Sequence, residues 1–290
     1  MKKILVIADR LPDQPSLAYD KALFFAERAK VSVHVLSVVH DSLYEQQELI
    51  SNEQREALKD TLISREKYAL SKLLEGKNNI TGEVQWNKSL IDAVEKACAK
   101  EEFDLIIKTG HRSETLFHRP SDFHLLTLPK IPVLILHAHR WRSKRVVLAT
   151  VDFSNDDEEQ MALNDKVLTQ ARYFADLLDA SLHCSYVITY NPALADLDII
   201  NTNEMQNRFK EKRLKKLQGY VAKYGIPPEN IHIKAGKANK VIPSQAGNLH
   251  AELVVLGTHR RKGLSRIVLG STCEKILKIL RTDILAIKPD

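Results

Sequence analysis

Cysteine is scarce in this chain. Three occur in 290 residues, Cys98, Cys184 and Cys273, odd in number and far apart. That spacing excludes a disulfide framework and fits no metal pattern, and it suits reduced thiols in a cytosolic protein. Long apolar runs are missing too. No stretch approaches the roughly 20 apolar residues a membrane helix requires, so no membrane insertion is expected. The opening Met1-Lys-Lys-Ile-Leu-Val-Ile-Ala-Asp9 has an apolar run of only five residues before its aspartate, which reads as a first strand rather than a signal peptide, and the expected location is the cytoplasm. Glycine and proline number 10 each, too few for a disordered or fibrous chain. No Walker loop, Ser/His/Asp elbow or paired-carboxylate pattern is present, so no catalytic residue is assigned.

What is present describes a water-soluble globular protein: 44% hydrophobic and 28% charged residues, in a length that accommodates two domains with separate cores. The net charge of +6 comes from 43 basic against 37 acidic residues. This mild excess is dispersed and reads as solvated surface rather than a nucleic-acid groove. The densest basic run, His139-Arg-Trp-Arg-Ser-Lys-Arg145, falls at the expected linker, and Lys210-Glu-Lys-Arg-Leu-Lys-Lys216 reads as the wet face of a helix.

The pattern is written twice. Lys2-Lys-Ile-Leu-Val-Ile-Ala-Asp9 returns as Arg145-Val-Val-Leu-Ala-Thr-Val-Asp152, each a β-forming run closed by an aspartate. An amphipathic helix follows in each half, with Ala18, Ala22, Phe25, Ala26 and Ala29 on one face of the first and Val167, Leu168, Ala171, Phe174, Ala175 and Leu178 on one face of the second. Ser16 and Ser154 are the expected caps. Further strands are expected at Val31–Val39 and Ser181–Ile188, Gly82–Trp86 and Ile231–Lys234, Asp104–His111 and Glu252–His259, and Ile131–Leu136 and Thr282–Ile287. Helices are expected within 42–75 and 193–224, at Leu90–Lys100 and at Lys240–His250. Apolar strands alternating with helices demand parallel sheets covered on both faces. The expected fold is α/β, two tandem doubly wound five-stranded domains, Rossmann-like or flavodoxin-like, with the boundary at 140/141.

The run Val254-Val-Leu-Gly-Thr-His-Arg-Arg-Lys-Gly-Leu-Ser-Arg-Ile-Val-Leu-Gly-Ser-Thr272 carries the chemistry. A strand ends at Gly257, a basic loop follows, and Gly270, Ser271 and Thr272 open a helix, so backbone N–H groups can converge on a phosphate. The plainer alternative is that Gly257 only ends a strand and Ser271 or Thr272 only caps a helix. Cys273 would sit in that helix's first turn, where a thiolate is favoured, but ordinary helix packing is the leading expectation for it.

This spacing, and the two halves as a whole, resemble the universal stress protein family. The resemblance implies a cytoplasmic stress-response protein, paired domains within the chain, and compatibility with a homodimer. In family members that hold ATP, an aspartate at the end of the first strand faces the adenine, a valine on the second strand contacts it, and the glycine loop takes ribose and phosphates. Matched here, these are Asp152, Val187, Gly257, Gly270 and Ser271, with Thr272 beside them and His259 and Arg260 in the loop. Arg260 stands where nucleotide-binding members carry a second glycine, adding bulk and a bidentate cation. Tyr186, where many members have a histidine, is expected to narrow the adenine pocket. In the first half Asp9 and Gly110 persist, but Phe123 and His124 stand where Gly-Ser is required, so that domain is expected not to hold ATP and is read as degenerate. His118, His124, His137 and His139 cluster in sequence without zinc spacing. The leading expectation is a noncatalytic binding protein for a nucleotide or small phosphate ligand. The alternatives are slow ATP hydrolysis or phosphotransfer at the same loop, or a scaffold or carrier of an apolar or lipid-like ligand, for which Phe123, Tyr186 and the segment 192–205 speak.

Overall fold

The duplicated pattern folds as a duplicated architecture. The structure, a computed structural model, describes residues 1–8, 16–46, 48–110, 125–126, 131–137, 144–154, 157–190, 201–258 and 271–289, without the side chains of 202, 206, 210–213 and 271. The chain divides into two compact units, Met1–Ala138 and His139–Asp290.

In the first unit the strands are β1 (Lys3–Ile7), β2 (Ser32–Val39), β3 (Ile80–Trp86), β4 (Leu105–Thr109) and β5 (Val133–Leu136), and the helices are α1 (Leu17–Ala29), α2 (Asn52–Leu74) and α3 (Leu90–Lys100). The strand order is β3-β2-β1-β4-β5, and every pair in it is parallel. The second unit has β6 (Arg145–Val151), β7 (Ala180–Ile188), β8 (Ile231–Ala235), β9 (Leu253–Gly257) and β10 (Asp283–Ile287), with α4 (Glu158–Leu178), α5 (Thr202–Ala222), α6 (Ala238–Asn248) and α7 (Ser271–Ile279). Its order, β8-β7-β6-β9-β10, repeats the first, again all parallel. In each unit the order reverses at the first strand, which has the second strand on one side and the fourth on the other.

The strands are buried because both of their faces are covered, which explains their unbroken apolar sequences. Residues 4–7, 105–107, 133–136, 253–256 and 283–287 are buried throughout. In α4, Val167, Leu168, Ala171, Phe174, Ala175 and Leu178 form the buried stripe that the sequence spacing predicts. Each large member contributes about 1.5–3 kcal/mol of hydrophobic stabilisation relative to exposure. Lys215 and Lys216 are exposed on α5, the wet face expected of that basic run.

One expectation about helix caps is corrected. Ser16 caps α1, its hydroxyl accepting from the Tyr19 N–H. Ser154 is not the cap of α4; that cap is Asp157, whose carboxylate accepts from the Glu159 N–H at 3.3 Å. A carboxylate suits that place because it meets the positive end of the helix dipole. α6 starts at Ala238, close to the expected start near Lys240. A cluster clamps α5 to α4: the Asp165 carboxylate accepts from Tyr220 Oη at 2.6 Å, Lys223 Nζ at 2.9 Å and Tyr224 Oη. Burial alone would raise the Asp165 pKa, but these hydrogen bonds outweigh it and hold the carboxyl below its ordinary range.

Candidate functional site

In a doubly wound sheet the crevice lies beyond the carboxyl ends of the strands where their order reverses. In the second unit that place, between the ends of β6, β7 and β9, holds a cavity of 460 Å³. The ends of the three strands supply Asp152, Val187 and Gly257, and the first turn of α7 supplies Thr272. Four of the residues matched from sequence, distant along the chain, therefore line one cavity. Of the others, the Ser271 backbone begins α7, while its side chain and His259, Arg260 and Gly270 lie outside the described residues.

The strand pleat decides what β7 presents. Ser185 and Val187 line the cavity, whereas Tyr186 between them is buried and packs on Phe153 and Phe209, with ring centroids 5.9 and 4.9 Å away. Successive side chains on a strand point to opposite faces, so Tyr186 does not narrow the pocket, contrary to the expectation. Ser185 donates to Gln245 of α6 at 2.5 Å.

Asp152 is held by residues that sequence reading missed. Asn164 of α4 accepts from the Asp152 N–H at 3.0 Å and donates to the Asp152 carbonyl at 2.7 Å, and Gln160 donates to Asn164 at 3.0 Å. Both amides are buried, and a buried amide with its bonds satisfied fixes its partner's orientation. The Asp152 carboxylate turns back to accept from the Ser154 N–H at 2.8 Å. It thus caps its own turn rather than the next helix, and its second oxygen has no protein partner among the described residues. The available signal was two polar residues four apart, Gln160 and Asn164, flanking the apolar stripe of α4.

Gly257 has a steric reason. A Cβ there would lie 2.8 Å from Cδ2 and 2.9 Å from Cγ of Leu163, also on α4. Glycine lets the helix sit against the strand end beside the cavity, whose wall joins apolar Val167, Leu256, Ile242 and Ile276 to polar Thr150, Gln160, Asn164, Ser185 and Thr189. Cys273 lines the cavity as well, but burial, aided by the charge of Glu274, pushes its thiol up to about 12. This fits the expectation of ordinary helix packing for Cys273 rather than a reactive thiolate.

Of the clustered histidines only His137 lies among the described residues, and there no three His, Cys, Asp or Glu side chains gather as a metal site. Phe123 and 191–200 also lie outside them. Among the described residues no helix is long and apolar enough to cross a membrane.

Both halves match the Universal stress protein family, over residues 1–141 and 143–288. The chain is 29% identical to the universal stress protein E homolog of Haemophilus influenzae, covering 99% of this chain and 97% of that one. It is 27% identical to universal stress protein E of Escherichia coli K12, covering 99% and 93%. Among solved structures it resembles a functionally unknown protein of Pseudomonas aeruginosa PAO1, with 27% identity, a TM-score of 0.74, and 100% and 93% of the two chains covered.

Proposed function

The chain belongs to the universal stress protein family, a family of the stress response, and on that premise we propose that it is a noncatalytic binding protein whose second unit takes a nucleotide or another small phosphate ligand. The observation that carries the reading is the convergence of Asp152, Val187, Gly257 and Thr272 on one 460 Å³ cavity, a volume within the range of small-molecule sites. In this reading the apolar wall from Val187 and Ile242 receives the base, and the oriented Asp152 carboxylate accepts from an exocyclic amine. The amide N–H groups at the start of α7 then meet the phosphates. Arg260 supplies a further cation from the loop. ATP is the first ligand to try, and the cytoplasm, where it is abundant, is the place of action. Pairing of two chains into a homodimer belongs to the same proposal and is tested by sedimentation velocity.

Ligand binding to the folded state raises its stability by about 2.7 kcal/mol at a hundredfold excess over the dissociation constant. ATP, ADP and pyrophosphate should therefore each shift the melting temperature by several degrees if they bind. Native mass spectrometry of freshly purified protein reads any ligand carried along. An unshifted melting curve with all three, together with a bare mass, would overturn the proposal, and a mass carrying a lipid would favour the carrier alternative. Phosphate release above that of an Asp152→Ala control would restore the enzyme alternative.

A further inference from the structure

The first unit has a cavity of its own, built from other chemistry. It measures 480 Å³ and lies at the carboxyl ends of β2 and β3 rather than where the strand order reverses. Its floor is aromatic. Trp86 ends β3, the Tyr44 ring stands edge-on to it at 5.1 Å, and His40 lies 5.4 Å from it. Tyr44 is held in a short 3-10 turn, Ser42–Glu45, capped by Asp41. Its hydroxyl donates to Glu56 of α2 at 2.9 Å.

The rim is cationic. Arg55 of α2, Lys88 after β3 and Lys96 of α3 all line the cavity, against a single lining carboxylate, Glu45. Glu45 is already engaged, by Lys88 at 2.5 Å and His40 at 3.5 Å. Arg55 lies over the Tyr44 ring, with Cζ 4.8 Å from the centroid. Its Nη1 donates to Asn52, while its Nε is buried and has no acceptor among the described residues. Lys96 is exposed and has no ion pair among the described residues. Aromatic rings beneath a rim where three cations face one carboxylate, and where Lys96 is not ion-paired among the described residues, together select a flat ligand with negative charge at one end.

The duplication supplies a contrast. Val39 pairs with Trp86 in the first unit, and Ile188 pairs with Ala235 in the second. The second unit thus has Ala235 in place of Trp86 and, one residue past the strand end, Thr189 in place of His40. Among the described residues the aromatic floor belongs to the first unit.

We propose that the first unit binds a small planar aromatic anion, an aryl carboxylate or aryl phosphate, with its ring against Trp86 and its charge toward Arg55, Lys88 and Lys96. The site is independent of the nucleotide proposal and stands if that one fails.

The chain has two tryptophans, Trp86 and Trp141, so Trp141→Phe leaves Trp86 as the sole tryptophan reporter. Its emission is titrated with benzoate and phenyl phosphate, with cyclohexanecarboxylate as a charge without a ring, benzyl alcohol as a ring without a charge, and inorganic phosphate. The aryl anions should give saturable changes at millimolar or lower concentration, and the three controls should bind at least about tenfold more weakly. Lys96→Gln and Arg55→Gln should each weaken binding about threefold to fivefold with unchanged circular dichroism. Calorimetry on otherwise wild-type protein and on Trp86→Ala repeats the test without the Trp141 change, and Trp86→Ala should bind none. No saturation with either aryl anion by about 10 mM overturns the proposal. So does equal binding of benzyl alcohol or of phosphate, or affinity indifferent to both Lys96→Gln and Arg55→Gln.

Discussion

Gly257→Ala should destabilise the second unit, although an alanine fits a strand better than a glycine in isolation. Gly257 ends β9 without a left-handed backbone angle, so the substitution by itself would gain about 0.4–1 kcal/mol by restricting the unfolded chain. The added methyl, however, would lie 2.8 and 2.9 Å from two carbons of Leu163, well inside the contact distance of about 3.5–4 Å. Leu163 is buried and lines the cavity, so the space open to it is the cavity itself. Overpacking of this kind costs about 1–3 kcal/mol, and the net expected loss is about 0.5–2 kcal/mol. For a unit of this size that is a fall in melting temperature of about 2–4 °C per kcal/mol, read by circular dichroism and by urea midpoint. Leu163→Ala alone should cost about 2–5 kcal/mol. In its background the Gly257 methyl has room, so the double mutant should be more stable than the sum of the singles predicts, by about 1 kcal/mol or more. Additive effects, or a stabilising Gly257→Ala, would refute the claim that glycine is there to admit Leu163.

Three other outcomes are expected. His183 Nδ1 and His232 Nε2 lie 2.9 Å apart; burial lowers both pKa values, with repulsion from His232 added at His183. The unfolded chain therefore takes up protons near the ordinary imidazole value of about 6.5 before the folded one does. Stability should be complete above that pH and decline as pH falls through it, and His232→Asn should shrink the difference between urea midpoints at pH 7.5 and 5.5; an unchanged difference refutes the assignment. With burial pushing Cys184 and Cys273 to about 12 and Cys98 only half-buried, a thiol reagent at pH 8 should modify Cys98 first and the other two only on unfolding. Rapid modification of Cys273 in native protein would contradict its burial. Asp165→Asn should lower stability by about 1 kcal/mol, discounted for the exposure of the Lys223 pair, and an unaltered melting curve would show that the α4–α5 clamp is idle.

The strands were legible because duplication supplied each pattern twice and both faces of each sheet are covered; all ten lie where the apolar runs put them. The expected pairing of Asp152 with Gly257 across the strand-order reversal was also legible, since a doubly wound order fixes which strand ends are neighbours. What sequence did not reveal depends on the direction a side chain takes. Tyr186 follows the pleat away from the cavity that its neighbours line. Asn164, which fixes Asp152, and Leu163, which requires Gly257, act between elements and leave only a faint mark on α4. The aromatic floor in the first unit was missed because His40, Tyr44 and Trp86 have no spacing motif and meet only when β2 and β3 end side by side.

The central claim, that the second unit's cavity is a phosphate-ligand site, is tested most directly by calorimetry with ATP on wild type, Asp152→Ala and Gly270→Asp. The account predicts saturable heat for wild type, weaker binding in Asp152→Ala, and none in Gly270→Asp, which adds a carboxylate to the run preceding α7. No heat with wild type, or heat that Gly270→Asp leaves unchanged, would contradict it.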